Sequence, residues 1–197
     1  MKYCKECLTT SLRPNASFNS NGVCIACEYS NNQSTRSFTS ELKILKEMIR
    51  RTRSKRKRHE LYDCIVGVSG GKDSTRQAHW VRDRLGLNPL LVCCGYPPLQ
   101  MTDIGAFNMS NLISMGFDVE IFTPAPQSSA QLSLSSFKQF GNVCKSTEMA
   151  LFSAVPRIAL LKKIPLIFWG ENPALQVGDS KTEGVNYFDG NNLRNLN

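Results

Sequence analysis

One short loop of this sequence is rich in groups that bind phosphate. Residues 69–74 read Ser-Gly-Gly-Lys-Asp-Ser and follow an apolar run that starts at Cys64. Paired glycines allow positive φ and close backbone approach, so that successive N–H groups can point at one oxyanion. The N-terminus of a following helix would add partial positive charge. We therefore expect a phosphate-binding loop whose ligand contacts come from Ser69, Gly70, Gly71, Lys72, Asp73 and Ser74.

The spacing of this loop excludes two better-known phosphate-binding motifs. A Walker loop requires Lys followed directly by Ser or Thr, and here Asp73 separates Lys72 from Ser74. A dinucleotide-binding loop requires Gly-x-Gly-x-x-Gly, which the glycines of this segment do not form. Asp73 would repel a bare phosphate, but it makes chemical sense if it helps to hold Mg²⁺.

Four cysteines near the start of the chain have the spacing of a metal site. Cys4 and Cys7 form one Cys-x2-Cys pair, Cys24 and Cys27 form another, and 16 residues lie between the pairs. This spacing is typical of structural zinc sites, in which four thiolates complete a tetrahedron and leave no position for a reacting water. We expect Zn²⁺ here to hold structure and to take no part in catalysis.

The rest of the pattern predicts the elements that position these groups. Apolar runs at residues 64–66, 89–94, 119–122 and 164–169 read as strands, and helical patterns ending at Gly86 and Gly116 separate the first three. A further helix is expected to hold residues 150–152 and 158–161. Strands that are almost continuously apolar and alternate with helices predict an α/β fold, with a parallel sheet covered by helices on both faces.

The positive charge of the chain is concentrated in one segment. The net charge is +8, and seven of these charges lie in residues 50–58, which leaves 8 − 7 = +1 for the remainder. Residues 30–39 are mostly Ser, Asn, Gln and Thr and read as a linker, and a helix is expected to start near Ser40 and to continue into the basic run. The run is either a solvated helical face or a contact for an anionic partner, such as RNA or a nucleotide-linked substrate.

These patterns divide the chain into three parts. We predict a four-cysteine zinc ribbon over residues 1–30, a linker and basic helix over residues 31–60, and a nucleotide-binding domain over residues 61–197. No apolar run approaches the roughly 18 residues that a membrane span needs, and the start of the chain has no apolar signal region. We expect a cytoplasmic protein.

Residues 69–74, between a strand and a helix, resemble the SGGxDS motif of the PP-loop ATP pyrophosphatases. The resemblance implies an enzyme that splits ATP between its α and β phosphates, passes AMP to a substrate oxygen and releases pyrophosphate from this loop. It implies ATP and Mg²⁺ as cofactors. Lys72 and Asp73 are the implied catalytic residues of the loop.

Within that superfamily the whole chain resembles the N-acetyl sugar amidotransferases of surface-sugar biosynthesis, including the pseudaminic acid enzyme. The matching stretches are the cysteine pairs and residues 13–14, 21–24, 62–74, 86–90, 140–142, 169–175 and 189–194. The family implies that an acetamido group becomes an acetamidino group, with ammonia from a separate glutaminase partner. Glu171 follows the fourth predicted strand, and we expect it either to steer ammonia or accept its proton, or to cap the structure.

Two alternatives remain open. The tRNA-thiolating PP-loop enzymes also carry N-terminal cysteine pairs and would explain the basic run as an RNA contact, but they need further paired cysteines in the catalytic domain, and Cys144 has no such partner. If the chain is a sugar amidotransferase, we expect no nucleic-acid partner. The sugar amidotransferases also run past residue 197, so the second alternative is an inactive fragment that binds ATP and zinc.

Overall fold

The structure is a computed structural model that describes residues 1–13, 16–33, 38–55, 61–97 and 101–170. These residues fall into two compact units, residues 1–45 and 46–170. Glu171 lies outside the described residues. Among the helices that are described, none combines the length and the apolar content that crossing a bilayer requires.

The larger unit is built on a parallel sheet of four strands. The strands are β1 (Cys64–Gly67), β2 (Pro89–Cys94), β3 (Asp118–Phe122) and β4 (Ile167–Phe168). Their order in the sheet is β3-β2-β1-β4, and Ile65 lies opposite both Leu90 and Ile167. Strands β1, β2 and β3 lie side by side in chain order, and β4 pairs with the other edge of β1. This reversal creates a topological switch point between β1 and β4, the place where open α/β sheets bind ligands.

Helices connect the successive strands of the sheet. The helices are α1 (Ile25–Gln33), α2 (Thr39–Lys55), α3 (Lys72–His79), α4 (Asp103–Ser114), α5 (Pro126–Phe140) and α6 (Lys145–Lys162). The last residue of α3 leads into a π-helical turn, Trp80–Arg84. Helix α3 connects β1 to β2, α4 connects β2 to β3, and α5 and α6 lie between β3 and β4. The predicted α/β fold is confirmed.

Both faces of the sheet are covered. On one face, Ile65, Leu90 and Val92 pack against Val155, Ile158 and Ala159 of α6. Side chains alternate along a strand, so Val66 and Leu91, both fully buried, point to the opposite face. There α3 packs on β1 and α4 packs on β3. In right-handed crossovers, the direction of the step along the sheet decides which face the connecting helix covers. The steps from β1 to β2 and from β2 to β3 go one way, and the step from β3 to β4 goes the other way. Helix α6 therefore lies on the face opposite to α3 and α4.

Three elements differ from the sequence prediction. Strand β4 pairs only over Ile167–Phe168, shorter than the predicted 164–169, and Pro165 has no N–H to donate to a ladder. Helix α5 was not predicted, because its serine-rich sequence has no apolar period. Helix α1 extends through Gln33 into the segment that reads as a linker.

The smaller unit is held by short turns and not by a core. Isolated antiparallel bridges join Tyr3 to Thr10 and Phe18 to Cys24, and α1 starts directly after Cys24. Within the described part of residues 1–45, the buried apolar side chains are those of Cys4 and Cys24. A unit of this size with so little buried apolar surface needs a metal or a disulfide to be stable.

Candidate functional site

The loop of residues 69–74 leaves the sheet at the carboxyl end of β1. The N–H of Val68 still donates to the Val92 carbonyl at 2.9 Å, and Gly70 then takes a positive φ of 76°. Gly71 is the N-cap of α3 and makes no side-chain cap hydrogen bond. The chain therefore turns from strand to helix within three residues.

The two serines brace the loop from inside. The Ser74 hydroxyl donates to the Gly71 carbonyl at 3.2 Å and accepts from the Ser69 N–H at 3.3 Å. The Ser69 hydroxyl accepts from the Gly71 N–H at 3.4 Å. The sequence predicts both hydroxyls as ligand contacts, and in this structure they also fix the shape of the loop.

Gly70 is pressed against helix α4. A Cβ atom at this position would lie 2.9 Å from the Asn108 Cβ, 3.3 Å from the Asn108 carbonyl carbon and 3.4 Å from the Met109 Sδ. The first two atoms belong to a helix backbone or are fixed to it, so they cannot move aside cheaply. Gly70 is required both for its positive φ and for this close approach.

The start of α3 presents unpaired donors and charge to solvent. The N–H groups of Gly70, Lys72 and Asp73 have no hydrogen-bond acceptor within the described residues. The side chains of Lys72 and Asp73 are exposed. Free N–H groups at a helix N-terminus, next to a mobile ammonium group, form an anion-binding site.

The opposite side of the switch point is closed by Trp169, which follows β4. A Cβ at Gly67 would contact the Val155 Cγ2 at 3.3 Å and the Trp169 ring at 3.4 Å. The Gln77 Nε2 of α3 donates to the Trp169 carbonyl at 2.7 Å. The other atom of that amide, Gln77 Oε1, is buried and has no partner in the described part of the chain. The loop helix and the end of β4 are thus tied together across the crevice.

A second concave surface lies at the same edge of the sheet, at the carboxyl ends of β2 and β3. It is a small depression of about 40 Å³ and is lined mainly by apolar groups. The lining residues include Tyr96, Pro97, Pro124, Leu132 and Leu151. Apolar grooves with a few polar groups suit the organic part of a ligand.

The four N-terminal cysteines converge as the spacing predicts. Their sulfur atoms all lie within 4.8 Å of one another, with 4.0 Å between Cys4 and Cys27 and 3.6 Å between Cys7 and Cys24. A tetrahedral zinc with Zn–S bonds of about 2.3 Å would hold its sulfurs about 3.8 Å apart. The cluster therefore fits Zn²⁺ closely.

The electrostatics of the cluster also favour a cation. Backbone N–H groups aimed at the sulfur, that of Cys7 foremost, lower the pKa of Cys4 to about 6, and the Thr9 hydroxyl lowers the pKa of Cys7. The neighbouring Cys7 sulfur raises the pKa of Cys27, and burial raises that of Cys24. A second thiolate is disfavoured beside the first, and Zn²⁺ would remove that penalty for all four.

The cysteines of the sheet do not have the environment of reactive thiols. Burial raises the pKa of Cys64 to about 12 and that of Cys93 to about 11, and it also raises the pKa of Cys94. These thiols stay protonated at neutral pH and act as small apolar side chains. His79 packs edge-on against Phe117.

The structure places six of the predicted site residues in one loop and four in one sulfur cluster. It also shows two residues near the loop that the sequence pattern does not reveal. Asn108 abuts Gly70 and Gln77 binds the end of β4. Neither belongs to a motif, and only their contacts in the folded chain bring them to the site.

Comparison with known proteins gives a likeness at the level of the fold. No family model matches the chain, and no curated protein matches it. A predicted subunit of tRNA methyltransferase from Methanocaldococcus jannaschii is 20% identical at a TM-score of 0.42, over 59% of this chain and 56% of that one. An NH3-dependent NAD synthetase from Campylobacter jejuni is 16% identical at a TM-score of 0.47, over 76% and 63%.

An NMN synthetase from Francisella tularensis is 14% identical at a TM-score of 0.44, over 76% of this chain and 56% of that one. The chain thus spans less than two thirds of the length of each of these structures. Scores of this size carry no argument about activity.

Proposed function

We propose that this chain is a PP-loop enzyme that uses ATP and forms AMP. The observation that carries the proposal is the position of the Ser-Gly-Gly-Lys-Asp-Ser loop at the switch point between β1 and β4, with the free N–H groups of Gly70, Lys72 and Asp73 at the start of α3. Neutral donors and one lysine suit a pyrophosphate leaving group.

The proposed reaction converts an acetamido group of a sugar into an acetamidino group. The acetamido oxygen attacks the α-phosphorus of ATP, the bond from that phosphorus to the bridging oxygen breaks, and pyrophosphate leaves. Ammonia then adds to the imidate carbon, loses a proton, and AMP departs with the original oxygen. The resemblance of the whole sequence to the sugar amidotransferases supports this substrate class.

Each residue of the loop has a proposed role. Ser69, Gly70, Gly71 and Ser74 would hold the β and γ phosphates, chiefly through the free N–H of Gly70 and the two serine hydroxyls, and Lys72 would neutralise the departing pyrophosphate. Asp73, exposed beside the loop, is the residue that would hold Mg²⁺, which screens phosphate charge.

The remaining predicted residues are proposed to stabilise the fold or to handle ammonia. The Cys4, Cys7, Cys24 and Cys27 cluster would bind Zn²⁺ with all four positions filled, so its role is structural. Glu171 would receive or deprotonate ammonia from a separate glutaminase partner. Each of these steps is compatible with a cytoplasmic enzyme that takes a free or nucleotide-linked N-acetyl sugar.

A tRNA-thiolating enzyme is the second candidate, and the basic helix α2 is the observation that favours it. Against it, the thiols of Cys64 and Cys93 are buried, that of Cys94 is half-buried, and burial raises the pKa of all three, so they are protonated at neutral pH. A sulfur-transfer enzyme needs accessible thiolates. The amidotransferase remains the better-supported proposal.

The test is release of AMP and pyrophosphate by the purified chain with ATP, Mg²⁺ and ammonium. One arm adds a panel of nucleotide-linked acetamido sugars, and the other adds tRNA with a sulfur donor. AMP that depends on a sugar would support the amidotransferase, and AMP only with tRNA would support thiolation. Release in neither arm, from a chain that still binds ATP, would favour an inactive fragment.

A further inference from the structure

A cationic surface lies at the end of the sheet opposite the phosphate loop. It consists of Arg50, Arg51 and Lys55 of α2 together with Lys163, which follows α6, and we call these four residues the basic surface. The side chains of Arg50 and Arg51 are 71% and 73% exposed. Both guanidinium groups are held by Glu47 at 2.7 to 2.8 Å, which keeps them ordered while their outer N–H groups face solvent.

Helix α2 is fixed against the sheet, so this surface has a defined direction. Ile49 is buried at 8% exposure. The Arg53 guanidinium donates to the Gly86 carbonyl and lies 3.5 Å from the Asp63 carboxylate. Asp63 also accepts the Asn88 N–H at 2.7 Å. These contacts attach the helix to the amino ends of β1 and β2 and leave Arg50 and Arg51 on the outside.

A shallow groove of about 90 Å³ beside the helix adds two further cations. Lys55 and Lys163 both line it, and the acid among its lining residues is the buried Asp63. Lys163 has a φ of 58°, a conformation that costs most side chains energy and that glycine usually takes at this position after a helix. A lysine kept there against that cost places its ammonium group beside the groove. Strain of this kind is found where a side chain has a function.

We propose that the basic surface binds the phosphate backbone of RNA. Guanidinium groups pair well with phosphate oxygens, and residues 46–55 form about 15 Å of helix at about 1.5 Å per residue, enough for two or three successive phosphates.

Two other kinds of partner, a protein and an anionic bilayer, are competing outcomes of the test. A protein partner would need an apolar or aromatic centre, which the four residues do not supply. An anionic bilayer would bind through exposed apolar side chains as well as cations, and because Ile44 and Met48 of α2 are exposed, binding to phosphatidylserine vesicles is measured beside RNA. This site lies at the amino ends of the strands, so it is separate from the proposed ATP site.

The test is fluorescence anisotropy with a labelled single-stranded RNA of about 20 nucleotides, from about 50 to 200 mM KCl. The variant Arg50→Gln/Arg51→Gln/Lys55→Gln should bind at least tenfold more weakly at the low-salt end. Its slope of log K against log salt should be shallower by about two, since each lost phosphate contact removes about 0.7. The control variant Lys2→Gln/Arg13→Gln/Lys138→Gln removes the same charge from exposed positions elsewhere and should bind as wild type does.

A second variant guards against loss of fold. Lys163→Gly removes one cation and also relieves the positive φ, so it should weaken RNA binding severalfold while the unfolding midpoint stays constant or rises.

Three results would overturn the inference: no RNA binding by wild type at about 50 mM salt, equal losses in the control variant, or equally tight binding of polyglutamate or phosphatidylserine vesicles. AMP release is measured separately, so failure of the proposed enzyme activity would not be mistaken for failure of this site.

Discussion

Replacing Gly70 by alanine tests whether the phosphate loop depends on its contact with α4. The added Cβ would lie 2.9 Å from the Asn108 Cβ and 3.3 Å from the Asn108 carbonyl carbon. It would also have to adopt a φ of 76°. Gly116 is the matched control, because its φ is 84° and no atom lies within 4 Å of its Cβ position.

The two substitutions separate the backbone cost from the steric cost. An alanine at positive φ costs about 1 to 2 kcal/mol, and both variants carry this penalty. Overpacking against a fixed helix adds about 1 to 3 kcal/mol, and only Gly70→Ala carries it. We expect Gly70→Ala to lose about 2 to 5 kcal/mol of unfolding free energy, or to relieve the clash by moving the loop away from α4.

Urea unfolding and ATP titration calorimetry, performed on both variants, distinguish these outcomes. Gly70→Ala should be less stable than Gly116→Ala or should bind ATP at least tenfold more weakly, whereas Gly116→Ala should bind ATP as wild type does. Equal unfolding free energies for the two variants, together with unchanged ATP affinity in Gly70→Ala, would refute the argument that α4 holds the loop in shape.

Three further predictions follow from the candidate sites. Lys72→Ala should abolish AMP release in the coupled pyrophosphate assay without moving the unfolding midpoint, because the side chain is exposed; unchanged turnover would remove its catalytic role. Cys24→Ser should lose the bound zinc in metal analysis and destabilise the N-terminal unit, whereas the exposed Cys144→Ser should keep one zinc per chain; equal zinc content would count against the four-sulfur site. Glu171→Gln should lower ammonia-dependent turnover at least tenfold, and wild-type turnover would dismiss a role in handling ammonia.

The sequence predicts the fold well where local chemistry decides the structure. The second strand, Pro89–Cys94, appears as the apolar run predicts. Helix α4 lies between Thr102, whose side chain accepts the Gly105 N–H, and Gly116 at positive φ. Caps and glycine stops are local signals that a sequence displays directly.

The parts that were missed depend on tertiary contacts. Helix α5 buries Ser136, whose hydroxyl donates to the Asn142 carbonyl, so its inner face is polar and leaves no apolar period in the sequence. Asn108 and Gln77 reach the site only because α3, on β1, and α4, on β3, cover the same face of the sheet. No spacing along the chain shows which side chain of a helix will meet a loop from another part of the fold.

The packing between β1 and β4 explains why position 67 is a glycine and position 77 a glutamine, although no motif requires either residue. Gly67 carries no side chain because Trp169 occupies the space beside it. The Gln77 amide must direct Nε2 to the Trp169 carbonyl, and this orientation leaves Oε1 buried without a partner among the described residues. An unsatisfied buried acceptor costs about 1 to 3 kcal/mol. A cost of that size is tolerated where function demands it, and here it falls beside the phosphate loop, at the edge of the sheet where its topology places a ligand.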